Sequence, residues 1–247
     1  MPRVLSAVIF LLFAPPAFAI TGNAPPASGV AARSIVMVVD PRGDLCTGTA
    51  LARDLVLTAA HCVSGRFAYQ VRTFQTGQTV EVRSIARHPR FDPLSYVAGR
   101  ATADVALIKL AAPLNEQLAP AALAPARRVA VGEILTVAGF GVTLAGTPRG
   151  LGVPRMASLA VTGKPGALQI RLYDLATLNR RSGLGACTGD SGAPAFEPAG
   201  GVIGVVSWST APGDEEGCGG LTGVTPLLLY RPWIVDTARK FNSPIEP

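Results

Sequence analysis

The stretch "ACTGDSGAP", residues 186–194, places a serine between an acidic residue and a run of small residues. Ser191 follows Gly189 and Asp190 and precedes Gly192, so little side-chain bulk surrounds its backbone. Glycine permits backbone conformations that other residues avoid, which suits a segment whose main-chain groups have a chemical task. Ser191 can act as a nucleophile only if the chain also supplies a base, an orienting acid and a pocket.

The composition favours a globular β protein. The chain has 247 residues, of which 49% are hydrophobic and 15% charged, with 27 glycines and 21 prolines. This length suffices for one large domain or two small ones, and the high apolar content argues against disorder. The net charge is +6, but the basic residues are scattered, with no aromatic-interleaved basic stripe, so no nucleic-acid partner is predicted.

Short apolar and β-branched runs recur through both halves of the chain and predict an all-β body. We predict strands at residues 34–40, 69–74, 79–86, 105–110, 134–138, 156–162, 168–172 and 201–208, with two shorter runs within residues 50–62. Residues 110–132 are rich in alanine and proline and predict a linker, with a boundary near residue 125. Apolar residues at helical spacing predict a closing helix in residues 227–241.

The first nineteen residues have the pattern of a secretory signal peptide. Arg3 precedes a mostly apolar run at residues 4–13, and Ala17 and Ala19 form a small-residue cleavage pattern. The run is about half of the ~20 residues that a membrane span needs. We therefore expect cleavage after Ala19, a mature chain that begins at Ile20 and has no membrane anchor, and a secreted or periplasmic location.

The chain contains an even number of cysteines: Cys46, Cys62, Cys187 and Cys218. In a chain with an export signal, this favours two disulfides over free thiols, and spacing alone leaves three pairings open. A zinc site is the alternative, but the sequence has no Cys-x-x-Cys motif and no paired histidines. No metal site is therefore predicted.

Two further motifs supply a candidate base and acid. "LTAAHC", residues 57–62, contains His61, and a histidine with its unperturbed pKa of about 6.5 suits general-base chemistry near neutrality. "ADVALIKL", residues 103–110, places Asp104 at the start of an apolar strand, where a carboxylate needs a partner such as an imidazolium. Taken alone, Asp104 is also compatible with a turn or cap. The other histidine, His88, lies in a proline-containing loop and is interpreted as a packing residue.

The blocks "LTAAHC", "DVALIKL" and "GDSGAP", in this order, resemble the His, Asp and Ser blocks of chymotrypsin-like (trypsin-family) serine proteases. Supporting matches are "VAGFGVT" at 137–143, "VVSWS" at 205–209 and the closing "GVTPLLLYRPWI". The resemblance implies two antiparallel six-stranded β-barrels and a C-terminal helix, with one barrel in residues 20–125 and the other in residues 126–247. It implies a monomeric serine endopeptidase that acts on polypeptides without a metal ion or organic cofactor.

The resemblance also implies roles for individual residues. Ser191 is the nucleophile, His61 is the general base, and Asp104 orients and stabilises the imidazolium. The backbone N–H groups of Gly189 and Ser191 form the oxyanion hole. The resemblance implies two disulfides, one between Cys46 and Cys62 and the other between Cys187 and Cys218.

Family members usually become active when a freed Ile or Val amine pairs with the aspartate before the nucleophile, which is Asp190 here. The expected mature start "ITGN" is similar to the family's Ile-Val-Gly-Gly, so the resemblance makes Ile20 and Asp190 the activation pair. We hypothesise that signal-peptide cleavage itself releases this amine. The alternative is that Ile20 begins a flexible tail.

The resemblance says less about substrate preference than about the catalytic residues. The residues implied to bind substrate are Gly185, Ala186, Ser207, Trp208, Ser209 and Gly223. Trypsin-type members have aspartate at the position of Gly185, so a preference for arginine or lysine is not implied. We expect Ser209 to narrow the pocket entrance and Gly223 to leave its lower wall open, which favours small or medium apolar side chains. The acidic residues at 214–216 could attract a basic side chain, although a solvated loop is the preferred interpretation.

A protein of another class remains as the alternative. A non-catalytic binding protein on the same fold would recruit its partner through the basic surface. The complete set of His61, Asp104 and Ser191 favours the enzyme.

Overall fold

The structure is a computed structural model that describes residues 20–163 and 166–245. The predicted signal peptide, residues 1–19, lies outside the described residues. Within them the chain forms two closed six-stranded antiparallel β-barrels, which confirms the predicted fold class. No helix in this described part is long and apolar enough to cross a membrane.

The first barrel contains six strands in the order β1-β2-β3-β6-β5-β4. They are β1 (Ile35–Val39), β2 (Leu45–Ala52), β3 (Leu55–Thr58), β4 (Gln70–Arg72), β5 (Thr79–Arg87) and β6 (Ala106–Leu110). The sequence of β1, "IVMVV", is apolar throughout because both of its faces are buried. Val36 and Val38 face the barrel interior, whereas Ile35 and Met37 join the core between the barrels.

The second barrel repeats this arrangement, with its strands in the order β10-β11-β12-β9-β8-β7. They are β7 (Ile134–Gly139), β8 (Arg155–Thr162), β9 (Ile170–Tyr173), β10 (Pro194–Phe196), β11 (Val202–Ser209) and β12 (Thr222–Pro226). Its interior is filled by aliphatic side chains such as Leu135, Leu172 and Val206.

In the described part of the chain, three α-helices lie outside the barrels: α1 (Gly29–Ser34), α2 (Pro93–Val97) and α3 (Arg231–Lys240). Helix α3 is the predicted closing helix, and its Ile234 and Ala238 are buried in the core between the barrels. After α3 the chain returns to the first barrel, where Ser243 Oγ donates to Asp54 Oδ1 at 2.6 Å. These contacts hold both barrels in one compact unit. His61, Asp104 and Ser191 lie outside the strands, whereas residues 207–209 and Gly223 lie on β11 and β12.

Candidate active site

The ends of two neighbouring strands bring His61 and Asp104 together. Thr58, at the end of β3, pairs with Ala106, at the start of β6, so residues after β3 and before β6 lie at one edge of the sheet. Asp104 Oδ2 lies 2.8 Å from His61 Nδ1, and the backbone N–H of His61 donates to Asp104 Oδ1 at 2.9 Å. The two residues are therefore fixed at two points.

The Asp104 carboxylate is 1% exposed and has a further partner in the second barrel. Ser207 Oγ donates to Asp104 Oδ2 at 2.5 Å. A carboxylate can only accept hydrogen bonds, so His61 carries its proton on Nδ1, and Nε2, which lies 3.7 Å from Cys62 Sγ, is unprotonated and can act as a base. The sequence predicted Ser207 only as a substrate-binding residue, and its contact with Asp104 is an additional finding.

The nucleophile segment is fastened to the first barrel close to His61. Thr47, on β2, donates from its backbone N–H to Ser191 O at 2.8 Å and from its hydroxyl to Gly189 O at 2.9 Å. A Cβ at Gly192 would lie 2.1 Å from Thr47 O and 3.1 Å from Ala59 N, so only glycine fits where the segment approaches the loop of His61. Ser191 thus lies beside that loop.

The hydroxyl of Ser191 has no hydrogen-bond partner among residues 20–163 and 166–245. Ser191 is partly exposed, so its hydroxyl can reach solvent or a substrate. Catalytic hydrogen bonds are often long without substrate and tighten only in the complex, so an unformed bond to His61 is compatible with a role as nucleophile.

The backbone at Gly189 adopts a conformation that requires glycine. Its φ is +96°, and a Cβ there would lie 2.9 Å from Gly141 Cα. Within the described residues, the N–H groups of Gly189 and Ser191 donate to no protein acceptor. Both groups therefore remain available to bind a developing oxyanion.

Two disulfides brace the site, Cys46–Cys62 and Cys187–Cys218, which are the pairs that the resemblance implies. The first joins β2 to the short helical turn His61–Val63, and the second joins the nucleophile segment to the loop after β11. Cys46, Cys62 and His61 are close enough to surround an ion. Because the two sulfurs are bonded to each other, they offer no thiolates to a metal.

Asp190 is completely buried beneath the nucleophile segment. Its carboxylate accepts hydrogen bonds from Gly141 N at 2.8 Å and from Cys187 N at 2.9 Å. Desolvation nevertheless raises its pKa to about 7, because the two backbone bonds lower the pKa by less than burial raises it. Among the described residues no basic side chain forms an ion pair with Asp190.

Ile20 is also fully buried, in the apolar core of the second barrel. The N–H of Thr21 donates to Gly185 O at 3.1 Å, and Ile20 has a φ of +51°, which is unusual for a β-branched residue. A flexible tail would leave Ile20 exposed, whereas Ile20 is buried here.

The predicted pocket residues lie together, but one expectation is wrong. The position that a Cβ would take at Gly223 is occupied by the Trp208 indole ring. Gly223 therefore does not leave the lower wall open, because the indole covers it. A Cβ at Gly185 would lie 3.2 Å from Gly219 Cα, so this side of the pocket is also closely walled.

The remaining pocket residues are tied to their neighbours. The N–H of the buried Ala186 donates to Thr222 Oγ1 at 2.9 Å. Ser209 Oγ donates to Gly217 O at 3.2 Å, which fixes the hydroxyl against the following loop. The acidic residues at 214–216 are exposed, which agrees with a solvated loop.

Sequence reasoning missed Tyr96, on helix α2. Its ring stacks on His61 with a centroid separation of 4.4 Å and an interplanar angle of 14°. The pair Asp92-Pro93 could have indicated a helix start, since aspartate caps helices and proline favours the first turn. Nothing in the sequence, however, indicates that Tyr96 meets His61.

His88 is a packing residue, as interpreted from the sequence. It is 6% exposed and lies edge-on to Tyr230 and Trp233, with centroid separations of 4.9 and 5.0 Å. Burial lowers its pKa. These contacts join the loop before α2 to the start of α3.

Two β-barrels with a His–Asp pair and a serine on the loops between them define the chymotrypsin-like class of serine proteases. The family model described as Trypsin matches residues 20–234. The chain belongs to the trypsin family and is a serine-type endopeptidase.

Individual relatives agree with this assignment. A snake venom serine protease of Crotalus durissus durissus is 29% identical over 71% of this chain and 72% of its own length. A trypsin of Sarcophaga bullata is 29% identical over 79% of both chains.

Solved structures agree in fold. A mutant of human heparin binding protein has a TM-score of 0.72 at 23% identity, covering 92% of this chain and 99% of its own. Neuropsin, a serine protease expressed in the limbic system of mouse brain, has a TM-score of 0.70 at 22% identity, covering 87% and 98%.

Proposed function

We propose that Ser191, His61 and Asp104 form a catalytic triad that hydrolyses peptide bonds through an acyl-enzyme intermediate. The observation that carries this proposal is the double hydrogen bond between His61 and the buried Asp104, next to the fastened Ser191 segment. It supports a defined imidazole tautomer whose Nε2 can accept a proton.

The proposed reaction has two halves. Ser191 Oγ attacks the scissile carbonyl carbon while its proton moves to His61 Nε2, and the C–N bond breaks as His61 returns that proton to the leaving amine. Water then gives a proton to His61 Nε2 and attacks the acyl carbon. The ester C–O bond breaks as His61 returns that proton to Ser191 Oγ, which releases the acid. Asp104 stays ionised throughout and stabilises the imidazolium.

The negative oxygen of each tetrahedral intermediate is bound by the N–H groups of Gly189 and Ser191. Their lack of acceptors in the described protein supports this role. Removing one such donor typically costs about 3 to 4 kcal/mol of transition-state stabilisation. The positive φ of Gly189 fits a backbone held in place for this purpose.

The active conformation depends on a free Ile20 amine that pairs with Asp190. Support comes from the burial of both residues and from the raised pKa of Asp190, which needs a positive partner to stay ionised. We propose that signal-peptide cleavage after Ala19 frees this amine in a monomeric protein that is secreted or periplasmic. No separate propeptide is then needed.

The substrates are polypeptides, bound as an extended strand along the backbone of residues 207–209. We propose a preference for small or medium apolar side chains at the cleaved bond. Gly185 and Ala186 carry no charge that could pair with arginine or lysine, and the covered Gly223 leaves less depth than a long side chain needs.

Variants of the three residues test this function. Ser191→Ala and His61→Ala should lower peptide hydrolysis by several orders of magnitude, because the triad acts as a unit. Asp104→Asn should lower turnover on the order of 10⁴, the size known for another serine protease of this type. Ser84→Ala, at an exposed position on β5, should retain full activity.

The measurement is the rate of hydrolysis of one peptide by each purified variant, with circular dichroism as the check on folding. A folded Ser191→Ala or His61→Ala protein that keeps more than about a tenth of the wild-type rate would contradict the assignment.

A further inference from the structure

One buried hydroxyl joins the nucleophile segment to both barrels. Thr47, on β2 of the first barrel, is fully buried, and its Oγ1 donates a hydrogen bond to Gly189 O at 2.9 Å. The same oxygen accepts a hydrogen bond at 3.1 Å from the backbone N–H of Phe140, the residue after β7 in the second barrel. Three separate parts of the chain therefore meet at a single oxygen atom.

Thr47 also binds the second residue of the proposed oxyanion hole. Its backbone N–H donates to Ser191 O at 2.8 Å, so Thr47 binds the carbonyl oxygens of both Gly189 and Ser191, whose N–H groups form that site. Thr47 is itself held in place, because Thr58 Oγ1, on β3, donates to Thr47 O at 2.8 Å. The nucleophile segment is thus anchored to a paired strand, which positions a site more accurately than a loop does.

Gly189 needs an anchor because glycine has a wider choice of backbone conformations than any other residue. In the peptide plane before Gly189, Thr188 O accepts a hydrogen bond from Val142 N at 2.8 Å. In the plane after it, Gly189 O accepts the hydrogen bond from Thr47 Oγ1. Without this second bond, the Gly189 N–H would be free to turn away from the direction that a φ of +96° gives it.

We propose that Thr47 is a positioning residue whose hydroxyl holds the Gly189 N–H in the direction that binds the oxyanion. The inference deepens the proposed function and rests on it, since it assumes that Gly189 and Ser191 form the oxyanion hole. The hydrogen bonds of Thr47 reach backbone carbonyl oxygens and not the Ser191 hydroxyl, so Thr47 acts through the backbone of the nucleophile segment. Such a residue should affect the stability of the transition state and leave the binding of the ground state unchanged.

The test compares variants of Thr47 in the hydrolysis of one peptide amide. Thr47→Val has nearly the same shape but no hydroxyl, and it should lower kcat about ten- to a hundredfold while KM stays within about twofold. The loss should be smaller than the roughly 10²- to 10³-fold loss on removing an oxyanion donor, because the Gly189 N–H is still present. Thr47→Ser keeps the hydroxyl and should retain kcat within about threefold, although the missing methyl group destabilises the fold.

Thr49→Val is the matched control. Thr49 lies on the same strand and is fully buried as well, but its hydroxyl has no hydrogen-bond partner within the residues that the structure describes. Thr49→Val should therefore retain the wild-type kcat. Urea unfolding of each variant separates a slower reaction from a smaller amount of folded protein.

A transition-state analogue separates positioning from a purely structural role. A peptide boronic acid forms a tetrahedral adduct with a serine nucleophile and places an oxygen in the oxyanion hole, whereas the substrate peptide binds to Ser191→Ala protein without any adduct. Thr47→Val should weaken inhibition by the boronic acid by about the same factor as it lowers kcat/KM. In the Ser191→Ala background it should change the Kd of the substrate peptide by less than about twofold.

A folded Thr47→Val protein with the wild-type kcat would overturn the proposal, and so would a fall in kcat that is matched by an equal weakening of substrate binding. An equal loss of kcat in Thr47→Ser or in Thr49→Val would also overturn it. If Thr47→Val does not fold, Thr47→Ala takes its place under the same criteria.

The same measurements distinguish failure of this proposal from failure of the proposed function. Hydrolysis by the wild type with an unchanged rate in the Thr47 variants would refute the role of Thr47 alone. A folded wild type that neither hydrolyses the peptide nor binds the boronic acid would refute the proposed function, and the role of Thr47 with it.

Discussion

At the scale of single residues, Asp190 is a carboxylate whose burial disfavours its charged form. It is a fully buried carboxylate with two backbone donors and, in the described part of the chain, no basic side chain bound to it. Two glycines, at the end of β7 and just after it, pack against this carboxylate, because a Cβ at Gly139 or Gly141 would collide with it. Burial raises its pKa to about 7, so near neutrality it is accommodated either as the neutral acid or beside a cation, and the Ile20 amine is the proposed cation.

This arrangement predicts a pH dependence for a chain with an extra alanine before Ile20, which lacks the free amine. The pKa of Asp190 rises from 3.8 to about 7 on folding. Between pH 4 and pH 7, folding is therefore accompanied by protonation of Asp190. The stabilisation that this proton gives the folded state is complete below about pH 4 and is lost as the pH rises through 7. The free energy of unfolding should fall by up to about 1.4 kcal/mol per pH unit in this window.

Urea unfolding at several pH values between 4 and 7 measures this slope. Asp190→Asn in the same extended chain is the control and should lack it, and the mature chain that begins at Ile20 should show a smaller slope. Neither altered chain should reach full peptidase activity. Equal slopes with and without Asp190, or full activity of the extended chain, would contradict the proposed pairing.

At the scale of elements, most strands follow from the sequence because their apolar runs fill a barrel interior. Strand β10, Pro194–Phe196, was not predicted because it has only three residues and starts with proline. Strand β12, Thr222–Pro226, was missed because threonine, glycine and proline dominate it, although all five residues are buried. Pro89 lies in the loop that the sequence predicted, but Pro93 begins helix α2, and only the Asp92 cap before it indicated a helix.

Strands β11 and β12 form one wall of the proposed substrate pocket. The contact between them predicts which side chain is preferred at the cleaved bond. Trp208 pairs with Gly223 and covers it with its indole. We therefore expect a long basic side chain to find neither depth nor a buried countercharge in this pocket.

A diverse peptide library, digested by the mature protein and read by mass spectrometry, should show cleavage after small or medium apolar residues. A profile dominated by arginine and lysine would contradict this expectation. Neutralising the acidic residues at 214–216 would then show whether the exposed loop is the source of the attraction.

At the scale of the whole molecule, function depends on contacts between distant parts of the chain. Motifs identified His61, Asp104 and Ser191 in the sequence, because each motif is local and the family order is distinctive. The contacts of Ser207 with Asp104 and with Tyr96 join residues 103 and 111 positions apart. Local patterns carry no information on such contacts, which depend on how the two barrels pack.

The role of Ser191 as the nucleophile is tested most directly by labelling the mature protein with a small serine-directed phosphonylating reagent. Intact-mass measurement and peptide mapping should find one phosphonyl group per chain, on Ser191, with peptide hydrolysis lost in proportion to labelling. His61→Ala should label far more slowly, because the hydroxyl would lack its base. A folded mature protein that stays unlabelled, or that is labelled elsewhere while hydrolysis continues, would contradict the account and favour a binding protein on the same fold.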